Sequence, residues 1–144
     1  MYLPDLSPYP HKKEYSLLGT LSIGWLDRSY AYPQGNVEEE FKRRLLAFCL
    51  HPVMPTRGFH RCNLCVPPTR ISIHLDNREI YLGHAEIRVF HADKVYAAPD
   101  LIYHYILLHR YLPPEEFIEA VFAGPLPLTR QYEEFKRRKE IDWW

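Results

Sequence analysis

The chain has few glycines, no net charge and no long apolar run. With only 6 glycines in 144 residues, it lacks the glycine-rich loops that cradle phosphates, and it has no serine nucleophile elbow. Its 18 basic residues balance 18 acidic ones, which disfavours nonspecific binding to nucleic acid or to an anionic membrane. Because no segment resembles a signal peptide or a membrane span, we expect a cytoplasmic protein with reduced thiols.

The length predicts a single domain spanning residues 1–144, with residues 1–13 as an extended N-terminal arm. Three prolines, Pro4, Pro8 and Pro10, favour the extended conformation of this arm. A domain of this size buries roughly 70% of its unfolded surface, so its folding need not depend on a metal.

The apolar patterns predict an α+β fold, in which three to four helices pack on an antiparallel sheet of three to five strands. Residues 15–26 are rich in strand formers. Residues 70–97 alternate with a period of two and predict three or four antiparallel strands, with turns at Asp76–Asn77 and near His91–Asp93.

Four helices are expected around this sheet. Asn36 is the predicted N-cap of the first, which ends before Pro52. The second is expected over residues 99–111, with Pro99 in its first turn, because proline is favoured at that position. The others are expected over residues 115–122 and about 129–140.

The most informative motif is GFHRCNLC at residues 58–65. Cys62 and Cys65 can converge on one cation from a tight turn. Downstream, His104 and His109 complete the pattern Cys-x2-Cys…His-x4-His, the ligand spacing of a tetrahedral zinc site. The sequence therefore predicts a zinc cofactor that ties this knuckle to the second helix.

Three imidazoles compete for the positions that Cys62 and Cys65 leave open. His60 points the same way as Cys62 if the backbone is extended, since residues i and i+2 share a face. On a regular helix His104 and His109 lie about 140° apart, so both bind one ion only if the helix loosens, as in a π-like turn. We retain all five residues as candidate ligands and rank the imidazoles His104, His60, His109.

One motif invites a catalytic interpretation. His84-Ala-Glu86 matches the His-x-Glu of zinc nucleobase deaminases, but it follows the cysteine pair where that class has it first. On the predicted strand, Glu86 and Arg88 share the polar face and fit a surface ion pair. For a zinc hydrolase, Glu86 or one of Glu115 and Glu116 would be the base, but no catalytic residue is assigned.

Four segments resemble an uncharacterised bacterial family of small cytosolic proteins. They are GWLD at 24–27, the knuckle at 58–65, EIRV at 86–89, and YAAPDLIYHYILLHRYLPP at 96–114. The resemblance extends from about residue 15 to 125. It supports the cysteines and histidines as one site and implies no activity.

These observations predict a zinc-stabilised, non-enzymatic binding protein with a protein partner, such as a bacterial partner-binding or immunity-type factor. A zinc-dependent hydrolase is the alternative. Nucleic-acid binding through the knuckle is a third hypothesis, with only Arg57, Arg61 and Arg70 as local basic support. The sequence does not specify an oligomeric state.

Overall fold

The structure, a computed structural model, describes residues 1–10, 19–56 and 58–138. In these ranges the strands and helices, in chain order, are β1 (Thr20–Ser22), α1 (Glu39–Leu50), β2 (Met54–Pro55), β3 (Ser72–Leu75), β4 (Arg78–Tyr81), β5 (Ala85–His91), β6 (Lys94–Pro99), α2 (Ile102–His109), α3 (Glu115–Ala123) and α4 (Arg130–Arg138). None of the helices in these ranges is long and apolar enough to cross a membrane.

The described strands form two sheets. The larger has the order β1-β6-β5-β2, and the smaller is the hairpin of β3 and β4. β5 pairs antiparallel with both β6 and β2, whereas β1 runs parallel to β6. The predicted α+β class is confirmed. The parallel edge strand departs from the antiparallel pattern because a long connection separates β1 from β6.

The hairpin turns lie where the sequence predicts them. Asp76 and Asn77 have φ values of 48° and 65°, the left-handed conformations of a two-residue hairpin turn. Ala92 has φ of 54° in the turn between β5 and β6. Of the strand expected over residues 15–26, β1 covers three residues, and residues 15–18 lie outside the described ranges.

Two predicted helix starts are wrong. α1 begins three residues after Asn36, and its N-cap, Glu38, makes no side-chain capping bond. Glu39 and Glu40 instead place negative charge in the first turn, where the helix dipole favours it. Pro99 does not enter α2 but ends β6. A proline is tolerated at a strand end because its missing N–H breaks few ladder bonds.

Aromatic side chains connect α1, α3 and the larger sheet. Phe41, Leu45 and Phe48 of α1 are buried, as their helical spacing predicts. The ring of Phe41 packs edge-on against Phe117 of α3, at 6.3 Å between centroids. Phe117 in turn packs against Tyr96 of β6, at 5.8 Å. This core holds α3, and hence the chain following α2, in a fixed place.

One carboxylate fixes the described part of the N-terminal arm. Asp5 accepts hydrogen bonds from the amide of Gly24 (3.0 Å) and from the hydroxyl of Tyr111 (2.9 and 2.8 Å to its two oxygens). Burial raises the pKa of Asp5, while these two donors oppose that rise. Residues 1–10 are therefore tied to the segment that follows α2, and residues 11–13 lie outside the described ranges.

The Glu86–Arg88 ion pair forms, but its predicted surface location is wrong. Glu86 Oε1 lies 2.9 Å from Arg88 Nη1, and the two side chains are only 11% and 3% exposed. Ala97 stands opposite Arg88 on β6, and the ring of Tyr9 lies 5.1 Å from the guanidinium carbon. The N-terminal arm thus covers a face that the strand pattern alone indicates as polar and exposed.

Replacing Arg88 by Met should lower the free energy of unfolding by about 3–5 kcal/mol, because it leaves the carboxylate of Glu86 buried without its guanidinium. Urea denaturation followed by circular dichroism measures this loss. Arg43→Met is the control, since it breaks an exposed ion pair with Glu40 and should cost at most about 1 kcal/mol. Equal losses in the two variants would contradict a buried pair.

Candidate metal centre

Four of the five candidate ligands come together. Cys62, Cys65, His104 and His109 each offer one ligand atom, and these atoms lie within 4.8 Å of one another. Cys62 and His104 are buried, whereas Cys65 and His109 are partly exposed. The group is compatible with a metal ion reached from one side of the molecule.

Three sulphur–nitrogen distances within this group match the edges of a tetrahedron. Cys65 Sγ lies 3.4 Å from Nε2 of both His104 and His109, and Cys62 Sγ lies 3.5 Å from Nε2 of His109. An ion bonded at about 2.3 Å to sulphur and about 2.0–2.1 Å to nitrogen would separate tetrahedral S and N ligands by about 3.5–3.6 Å. These three separations are compatible with one four-coordinate ion, and all four ligand atoms lie within 4.8 Å of one another.

The cysteine half of the centre is a tight turn. Cys62 and Thr69 exchange two backbone hydrogen bonds, of 2.8 and 3.2 Å, which close the loop that carries Cys65. The amides of Leu64 and Cys65 donate to the sulphur of Cys62 and lower its pKa, but burial outweighs them and raises that pKa to about 11. A bound cation would reverse this balance and release the proton.

Arg28 holds the turn from outside. Its guanidinium donates to the carbonyls of Asn63 (2.8 Å) and Cys65 (3.2 Å), and the amide of Asn63 donates to Asp27 at 3.2 Å. These contacts fix the backbone between the two thiols. No spacing rule in the sequence points to Arg28, because the loop that carries it lies more than thirty residues before the turn.

The end of α2 explains how two histidines five residues apart can meet. The N–H of Arg110 bonds to the carbonyl of Tyr105, a step of five residues in place of the four of an α-helix. Arg110 itself is left-handed, with φ of 55°. This is the π-like loosening that the helical wheel requires, and the rings of His104 and His109 lie 5.0 Å apart.

Both imidazoles are poised to be neutral. Burial, and secondarily the neighbouring His109, lowers the pKa of His104 to about 4. Burial also lowers the pKa of His109. A neutral imidazole presents a lone pair at Nε2, as metal ligation requires.

His60, the remaining candidate, lies outside the group. Its side chain is exposed, and its backbone N–H donates a hydrogen bond to the carbonyl of Gly83 at 2.6 Å. Cys49 is also outside the group, and burial raises the pKa of this thiol well above its usual value. The geometry thus favours both helix histidines and leaves His60 apart.

Gly83 and Asp100 join the two halves of the centre, and sequence reasoning missed both. The amide of Gly83 donates to Oδ1 of Asp100 at 2.8 Å, while its carbonyl accepts from His60. Asp100 lies just before α2, and its own amide donates to the carbonyl of Ala85 at 3.0 Å. The feature that marks Gly83 is its positive φ of 100°. A sequence alone does not reveal this conformation.

Two of the three carboxylates considered as catalytic bases, Glu86 and Glu116, have other partners. Glu86 pairs with Arg88, and Glu116 accepts from Lys94 (3.0 Å) and from the hydroxyl of Tyr96 (2.8 Å). Among the residues that the structure describes, no carboxylate joins the metal-compatible group. Its donor set is two sulphurs and two nitrogens.

Fold and site together define an α+β protein with a Cys2His2 group compatible with a metal ion. Residues 1–122 match the family described as a domain of unknown function, DUF7919, and the chain belongs to this family. All four grouped residues lie in the matched range. No curated protein and no solved structure matches the chain.

The variants His104→Ala and His60→Ala should show that His104 is a metal ligand and that His60 is not. His104→Ala removes a donor from the group, so the affinity for metal should fall by more than the roughly 10–100-fold that changes outside the ligand set cause. His60→Ala should retain the metal, because only the backbone of His60 contacts the site. Mass spectrometry of the metal content measures both, and metal loss from His60→Ala would place this residue among the ligands.

Gly83→Ala should weaken metal binding roughly tenfold. A Cβ there would collide with the carbonyl of His60 and push the knuckle away from α2. Gly58→Ala is the matched control: its φ is also positive, at 65°, but a Cβ there meets nothing within 4 Å. Competition with a chromophoric chelator measures both affinities. Equal weakening would mean that backbone strain, and not the contact with His60, matters.

Proposed function

We propose that the chain is a zinc-stabilised, non-enzymatic binding protein of the bacterial cytoplasm, whose partner is another protein. The observation that carries this proposal is the set of four protein donors within 4.8 Å of one another, with three sulphur–nitrogen separations of tetrahedral length. Membership of a family of unknown function is compatible with it, and the resemblance to small bacterial proteins supports the setting.

Zinc is the ion that this donor set favours. Thiolates are soft ligands and select zinc over magnesium or calcium, which prefer oxygen. Two cysteines and two histidines form a common tetrahedral set of structural zinc sites. The free state of Cys62 and Cys65 accords with a reducing compartment, where paired cysteines more often bind metal than form disulfides.

A closed coordination sphere supports a structural role. Catalytic zinc sites have three protein ligands and leave one position for water or substrate, whereas structural sites have four. Here four protein atoms are available, no described carboxylate belongs to the group, and two of the candidate bases, Glu86 and Glu116, are paired elsewhere. The hydrolase alternative would need one of these donors to be displaced.

The ion would supply stability by cross-linking distant parts of the chain. Cys65 and His104 are 39 positions apart. By analogy with a covalent cross-link, closing a loop of that length removes unfolded-state entropy worth about 4 kcal/mol. Zinc would thus stabilise the fold without being necessary for the core of α1, α3 and the larger sheet to form.

X-ray absorption of the purified full chain tests the coordination sphere. We expect one zinc per chain, with about two sulphurs at roughly 2.3 Å and two nitrogens at roughly 2.0–2.1 Å. An oxygen ligand in place of a protein donor would favour the hydrolase and contradict the closed site. Absence of zinc from protein produced with zinc in the medium would overturn the proposal altogether.

Variants at two buried cysteines test the structural role. Urea denaturation with and without a chelator should show metal-dependent stability in the wild type and in Cys49→Ala, because Cys49 lies outside the group. Cys62→Ser should lose this dependence, since it removes a ligand. A Cys62→Ser chain as stable as the metal-loaded wild type would contradict a structural ion.

A further inference from the structure

Three neighbouring segments, the first of which is part of the knuckle, form an exposed surface. Residues 59–62 bond to 69–72 through Cys62 and Thr69, and 69–72 bond to 81–84 through the amide of Leu82 and the carbonyl of Ile71 at 3.0 Å. Their outward side chains are Phe59, Arg61, Arg70 and Tyr81, hereafter the Arg70 surface.

Arg70 packs against two aromatic rings that lie nearly perpendicular to each other, with an interplanar angle of 77° and 6.0 Å between their centroids. Its guanidinium carbon lies 3.9 Å from the centroid of Phe59 and 4.5 Å from that of Tyr81. Phe59 is 50% exposed and Tyr81 36%. Contact with two rings at this angle orders the guanidinium in advance through cation–π attraction.

The Arg70 surface carries positive charge that the described residues do not pair. Arg61 precedes Cys62 and Arg70 follows Thr69, so the Cys62–Thr69 bridge places the two arginines opposite each other. Like charges at opposed positions repel. Neither arginine forms an ion pair with any described residue, unlike Arg43 with Glu40.

The nearest carboxylate has other partners. Glu79 accepts hydrogen bonds from the hydroxyls of Tyr81 (2.7 Å) and Ser72 (3.1 Å), and it lies 3.6 Å from His74. Those two hydroxyls are the main causes that lower the pKa of Glu79, and Arg70 is the smallest. The guanidinium edge of Arg70 is therefore available to a carboxylate from another molecule.

We propose that the Arg70 surface binds an acidic protein segment, with a carboxylate in the fork of Arg70 and a neighbouring apolar side chain on Phe59. This inference rests on the proposed function, since it names the partner of the binding protein. Arginine and aromatic residues are enriched where interfaces concentrate their binding energy. A bidentate guanidinium–carboxylate pair adds both strength and direction.

Nucleic acid fits this surface less well. A stacked base needs a free ring face, and Arg70 already covers one face of Phe59. Nucleic acid binds by neutralising a run of phosphates, whereas the Arg70 surface offers two arginines on a chain with no net charge. A peptide needs only one carboxylate in the fork of Arg70.

Fluorescence anisotropy with zinc-loaded full-length protein tests the proposal. The probes are a short labelled peptide in which Glu residues flank Leu, the same peptide with Gln for Glu, and a single-stranded oligothymidylate. We expect the Glu peptide to bind at least about tenfold more tightly than the Gln peptide, as a charge-assisted bidentate contact should provide. Equal binding of the two peptides would overturn the proposal.

Variants test whether the Arg70 surface causes the preference for the Glu peptide over the Gln peptide. Arg70→Gln should abolish the preference for Glu, and Arg70→Lys should retain only part of it, because lysine keeps the charge but loses the fork. Phe59→Ser should weaken both peptides. Arg43→Gln, at an exposed site on α1, should change nothing.

Two outcomes separate this inference from its rivals and from the proposed function. Oligothymidylate binding that exceeds peptide binding and disappears in Arg70→Gln would assign the surface to nucleic acid and overturn the proposal. Zinc content is measured on the same samples. Absence of zinc from the wild type would contradict the proposed function. Zinc-loaded protein that shows no preference for the Glu peptide would contradict only the proposed acidic partner.

Discussion

Two hydrogen bonds of Gly83 set the geometry on which the metal centre depends. Its carbonyl holds the amide of His60 at 2.6 Å, and its amide binds Asp100 at 2.8 Å. The first bond anchors the segment with the cysteines, and the second anchors the start of the helix with the histidines. Because a side chain at Gly83 would collide with the His60 carbonyl, the close approach requires glycine. The two halves are thus aligned by contacts within the protein itself.

Two clusters of buried polar groups differ in whether their charges are compensated within the protein. Glu86 and Arg88 neutralise each other within the protein, with Tyr9 packed over the guanidinium. The Cys62 thiol and the His104 imidazole have no such compensation, and burial disfavours the charged form of each. A divalent cation is the complement that such a set of neutral or thiolate donors lacks. The first cluster is compensated within the protein, whereas the second is compatible with a metal ion.

The sequence predicts what is local and misses what depends on distant contacts. The Cys62–Cys65 turn, the Asp76–Asn77 hairpin and the apolar stripe of α1 follow from spacing alone. The meeting of His104 and His109 coincides with a five-residue hydrogen bond at the end of α2, which has no composition signal. Likewise, the burial of Arg88 depends on Tyr9, which is nearly eighty positions away and covers a face that looks solvent-exposed in the strand pattern.

The same backbone carries both the metal ligand and the proposed binding surface. Along the paired segments of the Arg70 surface, Cys62 and Leu82 are fully buried and face the core. Phe59 and Tyr81 face outward, and both contact Arg70. Because side chains of paired strands alternate between two faces, fixing the inner face also fixes the outer one. An ion bound through Cys62 would therefore order the guanidinium and rings on the outside. Pre-ordering of this kind lowers the entropy lost on binding a partner, so a structural ion can increase affinity without touching the partner.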